Sequence, residues 1–289
     1  MREYRILTDG SCDLAQAWLA EHRVTVLPLY YSLGGSPLPY PGGASFRLGE
    51  FYSVLRGGAV VTTSAPSIED CKSLMRPLLE AGYDLLYTGL AAHLSGMFNV
   101  VRLAAMDLKE EFPGCRIAVL DSNAASLGLG LLIEALVTAR ESGQDFEAAC
   151  EICRTMRLHL RHYFTVSDLM HLKRGGRISG SAAVVGSVLQ IMPMLYLSAQ
   201  GQIEVTGKQR GRKNALRALA ECVAEAAGAG AKVCIAHADA AEDAAFVRDI
   251  LRRRYPGCEV AVGEIGPVLG AHCGPGGVAA FTTETNSTS

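Results

Sequence analysis

Four times in the first half of the chain, a short β-favouring run ends in a polar turn and a helix start follows: "YRILTDGS", "AVVTTSAPS", "YDLLYTGLAAHLSG" and "CRIAVLDSNAAS". Strands that alternate with helices predict a parallel sheet covered on both faces. In such sheets ligands sit at the carboxyl ends of the strands. The tips to inspect are therefore "TDGS", "TTSAPS", "GLAAHLSG" and "LDSNAAS". All four carry Ser or Thr, and none carries a full catalytic set.

Local signals fill in the rest. "CDLAQAWLAEH" has helical spacing, "VTVLPLYYSL" reads as a second strand, and "SFRLGEFYSVLRGG" is a helix closed by glycines. Ser67, followed by Glu69 and Asp70, places a cap and acids at a helix start. In the second half, Asp145 to His162 reads as one amphipathic helix, "YFTVSDLMHL" as a strand and turn, and "MLYLSAQGQIEVTGK" as a strand pair turning at Gly201. "RKNALRALAECVAEAAG" and "EDAAFVRDILRRRY" are helices; "KVCIAHAD", "CEVAVGEIG" and "GGVAAFT" are strands. The expected division is 1–160 and 161–284, with a polar tail at 285–289. No internal repeat or long linker interrupts it.

Composition removes several function classes. The chain of 289 residues is about half hydrophobic, enough to bury a large core. Its 27 Lys and Arg against 29 Asp and Glu give a net charge of −2, without the basic excess of a nucleic-acid binder. Nine scattered cysteines and an opening without an apolar h-region fit reduced thiols in a cytoplasm. The "NST" at Asn286 is then a chance match to a glycosylation acceptor. "SAAVVGSVLQIMPMLYLSAQG" is uncharged, but Pro193 splits it, and it reads as a short helix before that proline and a strand after it, not a membrane span.

The reactive side chains are weighed against bland roles. Cys150 and Cys153 form a CxxC with His159 and His162 behind it, but inside one helix they neither fold around a zinc ion nor gain a lowered thiol pKa. Neither GxGxxG after the first strand nor GxxxxGK[ST] occurs. "KRGGRIS" and "GKQRGRK" cluster cations beside glycines; Arg177 and Arg210 suggest an anionic group on a ligand or partner, while Arg174, Arg212 and Lys213 read as solvated. In "GAHCGPGG", His272 and Cys273 are neighbours in what reads as an extended glycine loop, badly placed to exchange a proton.

These stretches together resemble the DegV family of fatty-acid-binding proteins. "ILTDGSCDL", "TTSAPS", "LSGMFNVVRLA", "VLDSNAASLGLG", "LKRGGRIS", "GKQRGRKNAL" and "GAHCGPGGVA" match the family's motifs in order over nearly the whole chain. The resemblance implies an α/β fold of two domains: an N-terminal α/β/α parallel sheet and a C-terminal α/β domain with a mixed sheet. One long-chain fatty acid would lie between them in an apolar tunnel, without any cofactor or metal. Thr63 and Ser95 would hydrogen-bond its carboxylate, supported by Ser64 and the backbone around Gly96, with His272 near the head group. Arg177 and Arg210 would bind the head group or dock a kinase subunit that makes acyl-phosphate for phospholipid synthesis.

The same resemblance implies a bacterial, cytoplasmic protein with no nucleic-acid partner and at most transient contact with a membrane surface. Departures are Ala65 for Gln, Met97 for Thr, Gly10–Ser11 for Ser–Thr and Cys273 for Thr. They leave the acyl preference and the head-group contacts open. A lipid sensor or carrier without a kinase, and an acyl hydrolase or transferase using His272 or Ser95, stand as alternatives.

Overall fold

The computed structural model describes residues 2–41, 47–178, 191–227 and 231–284. Its elements in chain order are β1 (Tyr4–Asp9), α1 (Gln16–Glu21), β2 (Val24–Leu27), β3 (Leu29–Ser32), β4 (Leu38–Tyr40), α2 (Leu48–Arg56), β5 (Thr62–Ser64), α3 (Ile68–Glu80), β6 (Asp84–Gly89), α4 (Met97–Glu111), β7 (Ile117–Asp121), α5 (Ser126–Glu141) and α6 (Phe146–His159). Then come β8 (Leu160–Thr165), α7 (Met170–Arg174), β9 (Ile191–Leu197), β10 (Ile203–Arg210), α8 (Arg212–Ala227), β11 (Lys232–His237), α9 (Ala241–Arg254), β12 (Glu259–Glu264), α10 (Pro267–Cys273) and β13 (Val278–Thr283).

The first sheet has the order β2-β1-β6-β7 and is wholly parallel. The second, β10-β9-β8-β13-β11-β12, is mixed: β11 and β12 run parallel and the other pairs antiparallel. These are the parallel and mixed sheets expected of a two-domain α/β chain.

A small antiparallel sheet, β4-β3-β5, was not expected. It corrects two readings. "VTVLPLYYS" is two strands in different sheets, parted at Pro28, which has no N–H to donate. And the "TTS" tip belongs to β5, paired with β3, rather than to the parallel sheet.

α5 explains how the halves join. Its sequence "SLGLGLLIEALVTARE" is apolar on all sides, and eleven of its sixteen residues are buried. A helix apolar all round needs protein on every side. α5 packs on β1 in the first sheet and on β8, β11 and β13 in the second. One core cluster therefore runs from Ile6 and Leu86 through Leu129 and Leu132 to Cys234 and Phe281. α3 and α4 cover the far face of the first sheet, with Met75, Met97, Val101 and Leu108 buried there. α8 and α9 cover the far face of the second, around Leu219, Val223 and Val247.

Other boundaries moved by small amounts. α6 stops at His159, so His162 lies on a strand and not on the helix. Pro193 sits inside β9, opposite Lys208, so "IMPMLYL" is one strand; the helix expected ahead of it falls at 181–190, outside the described residues, as do 285–289 and Asn286. Arg212 is no solvated surface cation: it is paired with Asp243 at 2.7 Å and donates to the Gly276 carbonyl. Ser67 caps α3 as expected, in a reciprocal capping box with Asp70. No helix among the described residues is long and apolar enough to cross a membrane.

Candidate functional site

Three of the four polar strand tips converge on one cavity of about 300 Å³. β5 contributes Thr63, Ser64 and Ala65, the turn after β6 contributes Leu90, Leu94, Ser95 and Gly96, and the turn after β7 contributes Ala125 and Ser126. The second sheet closes the far wall with His162, Phe164, Ala279 and Phe281, and the β9–β10 hairpin adds Leu197 and Ile203. The remaining tip, "TDGS", serves the fold. Asp9 is fully buried and accepts from Ser11 N, Ser11 Oγ, Tyr87 Oη and Leu90 N at 2.6–3.0 Å.

His272 is held from two sides. Its Nε2 lies 2.8 Å from Thr63 Oγ1. Its Nδ1 is buried without a hydrogen-bond partner among the described residues. Behind Nδ1 stands Gly175, where a Cβ would come within 2.1 Å of that atom; the first glycine of "KRGGRIS" is what lets the ring in. Burial, and then the Arg177 guanidinium, push the His272 pKa down to about 4, so the imidazole is neutral near pH 7. Contrary to the glycine-loop reading, His272 lies in the last turn of α10. That helix follows Gly266 because Pro267 suits a first helical position.

The other expected residues fall around this pair. Ser95 Oγ accepts from Met97 N at 3.1 Å, just ahead of α4, whose N-cap is Gly96. The helix thus begins two residues after Ser95. Unpaired N–H groups and the helix dipole favour an anion at such an end. Arg177 lines the cavity, donating through Nε to Leu94 O at 3.0 Å and through Nη1 to Gly175 O. Arg210 is exposed at the end of β10 and does not line the cavity. Of the departures, Ala65 and Cys273 face the cavity, whereas Met97 is buried in the core beneath α4.

The adjacent thiol is inert. Burial raises the Cys273 pKa to about 12, so it carries no thiolate at neutral pH. The Thr63–His272 contact has the look of a nucleophile and base, but a working base is oriented through its other nitrogen. Here that nitrogen meets a glycine. No group of three or more His, Cys, Asp or Glu among the described residues is arranged to hold a metal.

Two residues at the inner end of the site were missed. Asp13 accepts from Ser126 Oγ at 2.6 Å and from Gly266 N at 2.9 Å, fixing the start of α10 against that of α5. Burial raises its pKa to about 7. His162, dismissed with the CxxC helix, is a buried wall residue. The two-residue alternation of "LRHYF" carried the signal for His162: it shares a strand face with Phe164.

The whole arrangement has close counterparts. A family model described as "Uncharacterised protein, DegV family" matches residues 3–285. The chain belongs to the DegV family. It is 31% identical over 283 residues to the DegV domain-containing protein CPE0026 of Clostridium perfringens, covering 97% of each chain. Among DegV structures, that of a Thermus thermophilus protein, described as fatty-acid binding, superposes with a TM-score of 0.87 at 32% identity, over 99% of this chain and 100% of that one. The fold also matches the fatty acid kinase B3 protein of Streptococcus pneumoniae, loaded with linoleic acid, with a TM-score of 0.85 at 20% identity over 98% and 100% of the two chains.

Proposed function

We propose that this DegV protein binds one long-chain fatty acid, with the carboxylate at Thr63, Ser95 and His272 and the acyl chain in the cavity between the two sheets. The observation that carries the reading is the placement of polar groups: in a mostly apolar cavity, Thr63, Ser64, Ser95, neutral His272, Arg177 and the start of α4 form one polar group, with Ser126 and His162 the other polar side chains on the wall. An acid group buried away from water must be hydrogen-bonded or it takes up a proton. With His272 Nε2–H donating to Thr63 Oγ1, the threonine hydroxyl is free to donate to the carboxylate. This tautomer leaves a lone pair, rather than an N–H, unpaired at Nδ1, the cheaper of the two orphans. Ser64 and the Gly96 backbone support the head group, and Arg177 supplies charge behind His272.

Apolar burial supplies the affinity. About 14 methylenes at roughly 0.8 kcal/mol each give about 11 kcal/mol. Ordering the chain and losing its free motion remove several of those, and the remainder corresponds to micromolar to nanomolar binding.

The finer part of the reading is that the protein is a non-catalytic, cytoplasmic carrier that presents the carboxylate to a partner kinase for conversion to acyl-phosphate. The name of the pneumococcal neighbour supports a kinase partner, and the sequence has no P-loop of its own. Exposed Arg210 is then a docking cation for that partner. The division at 160/161 falls at the start of β8, leaving the hydroxyls of Thr63, Ser64 and Ser95 in the first half and Arg177 and His272 in the second. A lipid sensor without a kinase is the second reading.

Mass spectrometry of lipid extracted from the purified protein tests the binding. A C14–C20 fatty acid is expected; no lipid, together with no uptake of added fatty acid, overturns the proposal. Acyl-phosphate formed with a candidate kinase and ATP supports the carrier role, and its absence with every such kinase favours the sensor.

A further inference from the structure

The polar residues on the cavity wall form two groups. The outer one, Thr63, Ser64, Ser95, Arg177 and His272, takes the carboxylate; the inner one is Ser126 and His162. α10 measures the gap between them. Ser126 Oγ and Gly266 N both bond Asp13 where the helix begins, and His272 stands six residues on, about 9 Å along the axis.

His162 is 4% exposed. It lies opposite Phe281 across the β8–β13 ladder, and the two rings meet edge to face at 5.3 Å. Its Nε2 accepts the Ala125 N–H at 3.4 Å. α5 passes so close that a Cβ on Gly128 would stand 2.2 Å from that nitrogen. Burial, and then the Arg161 charge, push the ring's pKa to about 3, so it is neutral and carries one proton. With Nε2 accepting, that proton sits on Nδ1. Nδ1 has no acceptor among the described residues.

The neighbouring wall is Phe164, Ile265, Ala279 and Phe281. A plain hydrocarbon laid against it leaves the Nδ1–H buried and unpaired, which is unfavourable. An oxygen on the chain at that depth becomes its acceptor. Ser126 Oγ gives its own proton to Asp13 and keeps lone pairs for a hydroxyl donor. We infer that the inner end of the cavity selects long-chain acids bearing a mid-chain hydroxyl or keto oxygen, with His162 as the specificity-determining donor and Ser126 as its complement. This rests on the fatty-acid reading and deepens it.

Isothermal titration of delipidated protein with stearic acid and a set of positional monohydroxystearic acids decides the matter. One mid-chain hydroxyl position is expected to bind about three- to tenfold more tightly than its isomers. His162→Phe keeps an aromatic ring against Phe281 and should abolish that preference, so that all hydroxyl positions bind alike. His162→Gln, whose amide also donates, should retain it, and serves if the phenylalanine variant does not fold. Equal affinity for all hydroxyl positions in the wild type, or an optimum that survives in His162→Phe, overturns the inference alone. Failure of every acid to bind overturns the fatty-acid reading itself.

Discussion

Gly175→Ala isolates the support behind His272. Gly175 has φ −70° and ψ −11°, helical values that alanine adopts freely. Backbone strain is therefore absent, and alanine's smaller unfolded-state entropy favours the variant by about 0.4–1 kcal/mol. The opposing effect is steric. The new Cβ would stand 2.1 Å from His272 Nδ1, and 2.9 Å from Cε1. The ring cannot retreat straight back, because Nε2 already lies 2.8 Å from Thr63 Oγ1. It must rotate and give up that hydrogen bond. Overpacking of this kind costs about 1–3 kcal/mol, so a net loss of about 1–2 kcal/mol is expected, seen as a fall of several degrees in Tm. Fatty-acid affinity should fall about tenfold, because the head-group constellation is displaced. The control is the same substitution in a His272→Ala background. With the ring gone, the methyl has room, and Gly175→Ala should become neutral or slightly stabilising. Denaturant melts of the four proteins then give a coupling energy of about 1–3 kcal/mol. An additive cycle, or a wild-type Tm and affinity in the single variant, would refute the reasoning.

Thr63→Val keeps the shape of the side chain and removes the hydroxyl; losing a hydrogen bond to a charged group should weaken fatty-acid binding at least tenfold by titration, and an unchanged Kd would show the carboxylate lies elsewhere. Ser67→Ala breaks the capping box on exposed α3 and should cost about 0.5–2 kcal/mol of stability without altering ligand affinity. The pH dependence has opposing parts. His272 and His162 have folded pKa values of about 4 and about 3, below the unfolded value, so the native state loses stability as pH falls from about 6.5 towards those values. Asp13, raised to about 7, works the other way: its burial penalises the native state above pH 7, and that penalty is relieved as pH falls towards the unfolded value. Asp13→Asn should therefore stabilise the protein at pH 8 and steepen its loss of stability between pH 6.5 and 4, by at most about 1.4 kcal/mol per pH unit; an identical pH profile in chemical denaturation would count against a titrating Asp13.

Local pattern carried most of the architecture. Strands alternating with helices are readable because each periodicity is local, and the parallel and mixed sheets followed. What failed was pairing. Nothing in "TTS" announces that it pairs with β3 and not with the parallel sheet, since a three-residue strand has no pattern of its own. The site was legible where it used motif residues: Thr63, Ser64, Ser95, Gly96, Arg177 and His272 all reach one cavity. It was illegible where burial sets the role. Asp13 reads as a turn acid, and only its bonds to Ser126 and Gly266, far away in sequence, make it a half-buried linchpin. His162 was lost to a helix boundary misplaced by three residues.

α10 shows why the site needs the whole chain. By sequence it belongs to the second half, between β12 and β13. By packing it bridges the two, against α2, β3 and β5 of the first and α7 of the second. Tyr52 on α2 donates to the Ile265 carbonyl at 2.6 Å, and Gly270 leaves room for that phenol, where a Cβ would come within 2.5 Å of its oxygen. Asp13 holds the other end of the approach through Gly266 N. Thus His272 reaches Thr63 only when the helix has docked across the junction. The Asn123 amide ties the halves again, donating to the carbonyls of Ser198 and Ala199 in the β9–β10 turn. The hydroxyls of the first half and the histidine of the second therefore come together on one cavity wall only in the assembled fold.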